Sequence, residues 1–241
     1  MDKSCLTVEL GLIGYAEAAA LQKRIVAARK LDAIPDVLLF CEHPHVITLG
    51  RNGKRENLLA SENVLRQKNV EFHCSDRGGD ITYHGPGQIV SYSILNLVAI
   101  RRDVGWYVRM LEEVMIRTTA EFGVAAERVA GKTGIWVRSG LNEEKLGAIG
   151  VHISRWVTSH GFAYNNSADL RFFDLIVPCG IADRKATSLE KLLGRSIEKK
   201  AVQALIAKHL GEVFGLQMVG AGKRDLLARL EQAENSVGMT A

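Results

Sequence analysis

Residues 133–165 read TGIWVRSGLNEEKLGAIGVHISRWVTSHGFAYN. Three strand-like runs follow one another here, TGIWVR (133–138), KLGAIGVHI (145–153) and VTSHGFAYN (157–165), with only short turns between them. A doubly wound fold alternates strand and helix, so this stretch points away from it. Upstream, QIVSYSILNL (88–97) alternates Val90, Tyr92 and Ile94 with Ser91 and Ser93, a strand with one half-polar face. Between the two, GWYVRMLEEVMIRTTAEFG (105–123) carries Tyr107, Leu111, Val114, Thr118 and Phe122 on one helical stripe, with Gly123 placed to cap it.

The rest of the chain follows the same clustering. Leu6, Val8 and Leu10 alternate as a strand, and Ala18, Leu21, Ile25 and Ala28 mark a helix that Pro35 keeps from continuing. DVLLFCEH and HVITLG read as strands broken at Pro44, residues 52–67 as loop then helix, and VEFHCS (70–75) as a strand. From Ser188 the chain turns helical, with Val202, Ile206, His209 and Val213 on one face. The expected fold is α+β, a mixed β-sheet flanked by helices. One domain is expected over 1–220, followed by a polar C-terminal tail, 221–241, with a short helix at 224–232.

Composition narrows the function. The 241 residues are 47% hydrophobic and 24% charged, enough for a real core. The net charge of +4 is scattered, with no basic arm for nucleic acid or polybasic membrane segment. No apolar run approaches the roughly 18–20 residues that span a bilayer, and MDKSCLTVELG has no signal-peptide pattern. The expected compartment is the cytoplasm and the expected state a monomer. Cys5, Cys41, Cys74 and Cys179 have no CxxC spacing, and seven histidines include no HExxH, so neither disulfides nor a metal are expected. Without a dinucleotide fingerprint or a P-loop, no cofactor is expected.

Three stretches could carry chemistry. RGGDITYHGPGQ (77–88) packs four glycines and Pro86 around Arg77, Asp80 and His84, the makings of a wall along which a ligand could lie close to the backbone. KLGAIGVHI sets Lys145 at the start of a strand interrupted by Gly147 and Gly150, and glycine inside a strand marks close approach. VPCGI (177–181) pins Cys179 between Pro178 and Gly180, whereas Cys5, Cys41 and Cys74 read as small buried apolar residues in strand patterns. A thiol with a pKa near ~8.5 needs a positive or basic neighbour to act as nucleophile. Lys145, His84, His152 and His160 all qualify on residue type.

Together these stretches resemble the lipoyl(octanoyl) transferase family. RGGDITYHGPGQIVSY looks like its signature, and EHPHVITLGR (42–51), TGIWV, KLGAIGVHISR, SHGFAYN and VPCGI agree in order and spacing over about residues 5–215. His45 departs from the pattern, where the family more often has proline. The resemblance implies a fold similar to the biotin/lipoate protein ligase catalytic domain. It implies transfer of an octanoyl group from acyl carrier protein to a lysine on lipoyl domains of 2-oxoacid dehydrogenases and on the glycine cleavage H protein. The catalytic pair it implies is Cys179, bearing an acyl thioester, with Lys145 beside it. The acyl pocket it implies is lined by Arg77, Gly78, Gly79, Asp80, Ile81, Thr82, Tyr83, His84, Ala148, Ile149, Gly150, Gly161, Phe162 and Ala163. Alternatives are an ATP-dependent lipoate or biotin ligase and a non-catalytic binder of lipoyl domains. Arg101, Arg102, Arg184 and Lys185 are candidates for docking acidic carriers.

Overall fold

A computed structural model describes residues 3–140, 142–177 and 185–237. In chain order it contains β1 (Ser4–Leu12), α1 (Tyr15–Lys30), β2 (Asp36–Glu42), β3 (Val46–Leu49), α2 (Glu62–Gln67), β4 (Glu71–Cys74), β5 (Ile81–His84) and β6 (Gln88–Ile94). Then follow α3 (Val104–Ala120), β7 (Glu127–Val129), β8 (Lys132–Ser139), β9 (Asn142–Ser154), β10 (Val157–Asn165), α4 (Leu189–Leu193), α5 (Lys199–Phe214), β11 (Gln217–Gly220) and α6 (Lys223–Val237).

The large sheet runs β11-β1-β2-β6-β10-β9-β8-β7 and the small one β4-β3-β5. In the large sheet β11, β1 and β2 pair in parallel and the rest antiparallel, so the sheet is mixed, as expected. Both faces are covered. Leu38 and Phe40 of β2 point into a core shared with Leu111 and Val114 of α3 and with Ile206 and Leu210 of α5. Val37, Leu39 and Cys41 point the other way, into a core built with Ala18, Leu21, Ile25 and Ala28 of α1. A strand buried on both faces reads as a near-continuous apolar run, which is what DVLLFC is. A third core lies under the small sheet, with Ile47, Ile81 and Tyr83 packed on Leu65 and Leu175.

Several expectations are corrected. The glycine-rich stretch, for which no strand was expected, contains one: Ile81–His84 form β5, paired antiparallel with β3. Lys145 is not at a strand start, because β9 begins at Asn142. Gly123 is not the cap of α3; Glu121 is, and Gly123 sits past it at φ +76°. The segment expected as a polar tail with a short helix at 224–232 does carry that helix, but it is longer, α6 running from Lys223 to Val237. Its Leu226 and Leu230 are fully buried against the core that contains α1. Cys5 and Cys41 are buried as expected, but Cys74 is exposed, on the outer strand of the small sheet. No helix among the described residues is long and apolar enough to cross a membrane.

Candidate active site

β6, β10 and β9 lie side by side and lay down matched rows in which β10 and β9 contribute only alanine and glycine. Val90 is opposite Ala163 and Ala163 opposite Ala148; one step along, Tyr92 is opposite Gly161 and Gly161 opposite Gly150. Over these rows opens a cavity of about 1010 Å³. Its wall includes Arg77–Thr82, His84, Ala148–Gly150, Gly161–Ala163 and Lys145.

The glycine-rich segment crosses β9 and is tied to it, since the Gly78 N–H donates to the Val151 carbonyl (2.8 Å). The buried Arg77 guanidinium donates to Thr48 Oγ1 (3.1 Å from Nε), to the Thr48 carbonyl (2.7 Å) and to the Gly78 carbonyl (3.1 Å). Arg77 thus braces the wall through its fork of donors. Asp80 holds the far end by accepting from the Asn57 amide (2.6 Å) and the Ile81 N–H (2.7 Å). Gly150 is glycine because the segment lies so close: a Cβ there would stand 3.0 Å from Arg77 Cδ and from the Gly78 oxygen. Gly147 plays a different part from the one expected. A Cβ on it would strike Met115 Sδ at 2.6 Å, so it seats β9 on α3 and does not face the cavity.

Tyr83 also departs from its expected place. It is fully buried in the small sheet, is not on the cavity wall, and its hydroxyl is hydrogen-bonded to His45 Nδ1 (2.8 Å). Strand alternation explains this: Thr82 and His84 face one side of β5, Tyr83 the other. The departure at His45 therefore touches Tyr83 and not the cavity.

Lys145 lies on β9 opposite Trp136 of β8, with its ammonium 4.7 Å from the centre of the indole. On its other side, residues 185–187 run alongside. The Lys145 N–H donates to the Lys185 carbonyl (3.0 Å) and the Thr187 N–H to the Lys145 carbonyl (2.9 Å). Cys179 lies outside the described residues, as does Arg184. The described residues on either side of it, Val177 and Lys185, both line the cavity. Arg101 and Arg102 are exposed, and Arg101 sits over Trp106, 5.5 Å from its ring centre.

Of the three histidines, His84 and His160 line the cavity and His152 does not. Burial, then the nearby His43 and Arg77, push the His84 pKa down to about 3, so the ring is neutral at neutral pH. Burial also lowers that of His160, against the hydrogen bond from its Nε2 to Asp76 (2.7 Å). Among the described residues no group of three or more His, Cys, Asp or Glu is arranged to hold a metal.

The sequence reading missed part of the wall. Val104 and Val108, one turn apart on α3, and Leu170, Phe173 and Ile176 on and after the 3-10 turn Leu170–Leu175 make it apolar. The valine pair had a signal, an i, i+4 repeat off the main stripe. The turn residues had none.

Residues 14–211 match the model of the lipoyl protein ligase A/B catalytic domain, and the chain belongs to that family. Among curated relatives, an octanoyltransferase of Acidobacterium capsulatum is 51% identical over 225 residues, covering 88% of this chain and 91% of its own. An octanoyltransferase of Solibacter usitatus is 47% identical, covering 90% and 96%. Solved structures share the fold at low identity. A bi-partite lipoate protein ligase from Thermoplasma acidophilum superposes with a TM-score of 0.73 at 12% identity, covering 96% of this chain and 91% of that one. A lipoate-protein ligase A bound with ATP gives 0.71 at 12%, covering 96% and 94%.

Proposed function

We propose that this acyltransferase carries an octanoyl group from acyl carrier protein to the target lysine of lipoyl domains, through a thioester on Cys179 with Lys145 as its partner. The acceptors are the lipoyl domains of 2-oxoacid dehydrogenases and the glycine cleavage H protein, and the compartment is the cytoplasm. One observation carries the reading: Val177, two residues before Cys179 in the chain, lines the same cavity as Lys145.

The chemistry balances without ATP. The Cys179 sulfur attacks the donor carbonyl as its thiol proton passes to Lys145, and the carrier departs as a thiolate that takes up that proton to become a thiol. The acceptor amine then attacks the new thioester, gives up a proton, and releases Cys179 as thiolate. The first step exchanges one thioester for another and the second forms the more stable amide. Lys145 takes and returns these protons, a contribution of about 10²–10⁴-fold for a positioned group.

The apolar cavity holds the chain. At roughly 0.8 kcal/mol per methylene, seven apolar carbons contribute on the order of 5 kcal/mol before ordering costs. Arg77 and Asp80 keep the wall in place, and Ala148 and Ala163 set its width.

Intact-mass analysis after exposure to octanoyl carrier protein tests the reading. A gain of one octanoyl group that maps to Cys179, and its absence in Cys179→Ser, is the expected result. Full turnover by Cys179→Ser would overturn it. Dependence of turnover on ATP would favour the ligase chemistry of the fold relatives instead.

A further inference from the structure

A line of buried side chains joins the glycine-rich wall to the segment 185–187 beside Lys145. Asn165 Nδ2 donates to the Thr187 carbonyl (2.9 Å). Gln88 Nε2 donates to Asn165 Oδ1 (2.8 Å), and His84 Nδ1 lies 2.6 Å from Gln88 Oε1. His84, Gln88, Asn165 and Thr187 are all at least nine-tenths buried. Thr187 in turn donates its N–H to the Lys145 carbonyl (2.9 Å).

The direction of this line is fixed at one end. A backbone carbonyl only accepts. The Thr187 oxygen therefore demands the amino group of Asn165, which turns the Asn165 oxygen toward Gln88. Gln88 must then present its own amino group there, and its oxygen to His84. A second carbonyl, that of Tyr83, lies 3.4 Å from the same Gln88 nitrogen and agrees with the assignment. His84 is left as donor at Nδ1, so in the neutral ring Nε2 is an acceptor. One orientation of each amide serves every hydrogen bond of this line.

We propose that Asn165 is a positioning residue for the transfer reaction, its amide holding the segment at Thr187 against Lys145 while fixing His84 in the Nδ1–H tautomer. The proposal rests on the reading of Lys145 as the reacting partner of Cys179. Asn165 is at the end of β10 and on the cavity wall; its side chain is hydrogen-bonded to Gln88 and Thr187, and it acts on Lys145 through the backbone of residue 187. A longer or apolar residue would fill the space but leave the carbonyl of Thr187 and the amide of Gln88 buried and unmatched.

Asn165→Asp keeps the shape and tests the hydrogen. As a carboxylate it cannot donate to the Thr187 carbonyl. As a protonated acid it donates through O–H and still accepts from Gln88. Burial raises a carboxyl pKa, so the acid form returns as pH falls. The measurement is octanoyl transfer by the full-length variant relative to wild type at each pH; His84, Lys145 and Lys185 face this line in both proteins, and Asn165→Ser, which removes the amide without adding a carboxyl, is run beside it as the control for their contribution. The expected result is a ratio lowered on the order of tenfold or more at neutral pH that climbs toward one in acid. A ratio that is low but flat, as simple loss of packing would give, or one near unity throughout, overturns the proposal.

The second measurement is ¹⁵N NMR of the His84 ring in the wild type without substrate. A protonated Nδ1 is expected, and a protonated Nε2 overturns the assignment. Should Asn165→Asp not fold, Gln88→Met removes both amide links at similar volume. It is expected to give His84 a mixture of tautomers and to slow transfer, whereas unchanged tautomer and rate refute the relay. Failure of the functional reading is seen separately, as a wild type that transfers no acyl group while its His84 spectrum stands.

Discussion

The Lys145 ammonium rests 4.7 Å from the centre of the Trp136 ring, across the antiparallel pair of β9 and β8. An indole face attracts a cation by about 0.5–2 kcal/mol, more as water is excluded, and Trp136 is only 4% exposed. The ring therefore restricts where the flexible lysine stem can put its nitrogen. Replacing Trp136 by leucine is expected to slow octanoyl transfer about three- to thirtyfold with the protein still folded. Single-turnover acylation of Cys179, followed by mass, measures it. A rate equal to wild type would show that the ring does not set the lysine's position.

Width should govern acyl length. Ala163 faces Ala148 on one side and Val90 on the other, in a row with no larger neighbour than valine. Ala163→Leu is expected to cut octanoyl transfer about tenfold or more, overpacking costing ~1–3 kcal/mol, while sparing a butanoyl donor. Competition between acyl carriers of different length reads this directly, and an unaltered length profile would remove Ala163 from the channel wall.

Acid should loosen the fold through His84. Its folded pKa is depressed to about 3, by burial first and then by His43 and Arg77, against ~6.5 in an unfolded chain. Between those values the unfolded chain holds a proton that the folded one lacks, so stability is complete above pH ~6.5 and declines as pH falls. In His84→Gln the loss of unfolding free energy from pH 7 to 4.5 is expected to be about 2–3 kcal/mol smaller than in wild type. His43 and His160 are lowered in the same direction, so part of the acid loss remains. Denaturant titrations at the two pH values decide it; identical losses would mean that His84 is not held neutral.

Leu226 and Leu230 make α6 structural. Each is fully buried, and truncation of such a leucine to alanine costs about 2–5 kcal/mol. Either variant should lower the unfolding free energy by that amount in urea, yet keep the kcat of the folded fraction, because neither Leu226 nor Leu230 is on the cavity wall. A change below ~0.5 kcal/mol would restore the idea of a loose polar tail.

How far the sequence spoke depended on how local the signal was. α1, α3 and the run β8 to β10 announce themselves through spacing within ten or twenty residues. β5 does not, because ITYH is four residues long and its partner β3 lies more than thirty residues earlier. The extent and docking of α6 were hidden by its polar majority, because the buried Leu226, Leu230 and Ala233 suffice to dock it. The exposure of Cys74 depends on β4 being an outer strand, which no property of EFHC encodes. The wall residues 77–84 were legible as glycine-rich, but which of them turn inward required the pairing register, and Tyr83 turned away. The Gln88 to Asn165 link was invisible for the same reason: 77 positions separate two ordinary amides that only strand pairing brings together.

The parallel pairing of β1 with β11 joins Ser4 to Gln217 and Thr7 to Gly220. During synthesis β1 leaves the ribosome with one of its two edges bare, and it stays so until more than two hundred further residues have been added. Nascent chains of this protein must therefore shield that edge, and a ribosome stalled late in the message would release a molecule whose cavity is built but whose β1 still lacks its outer neighbour.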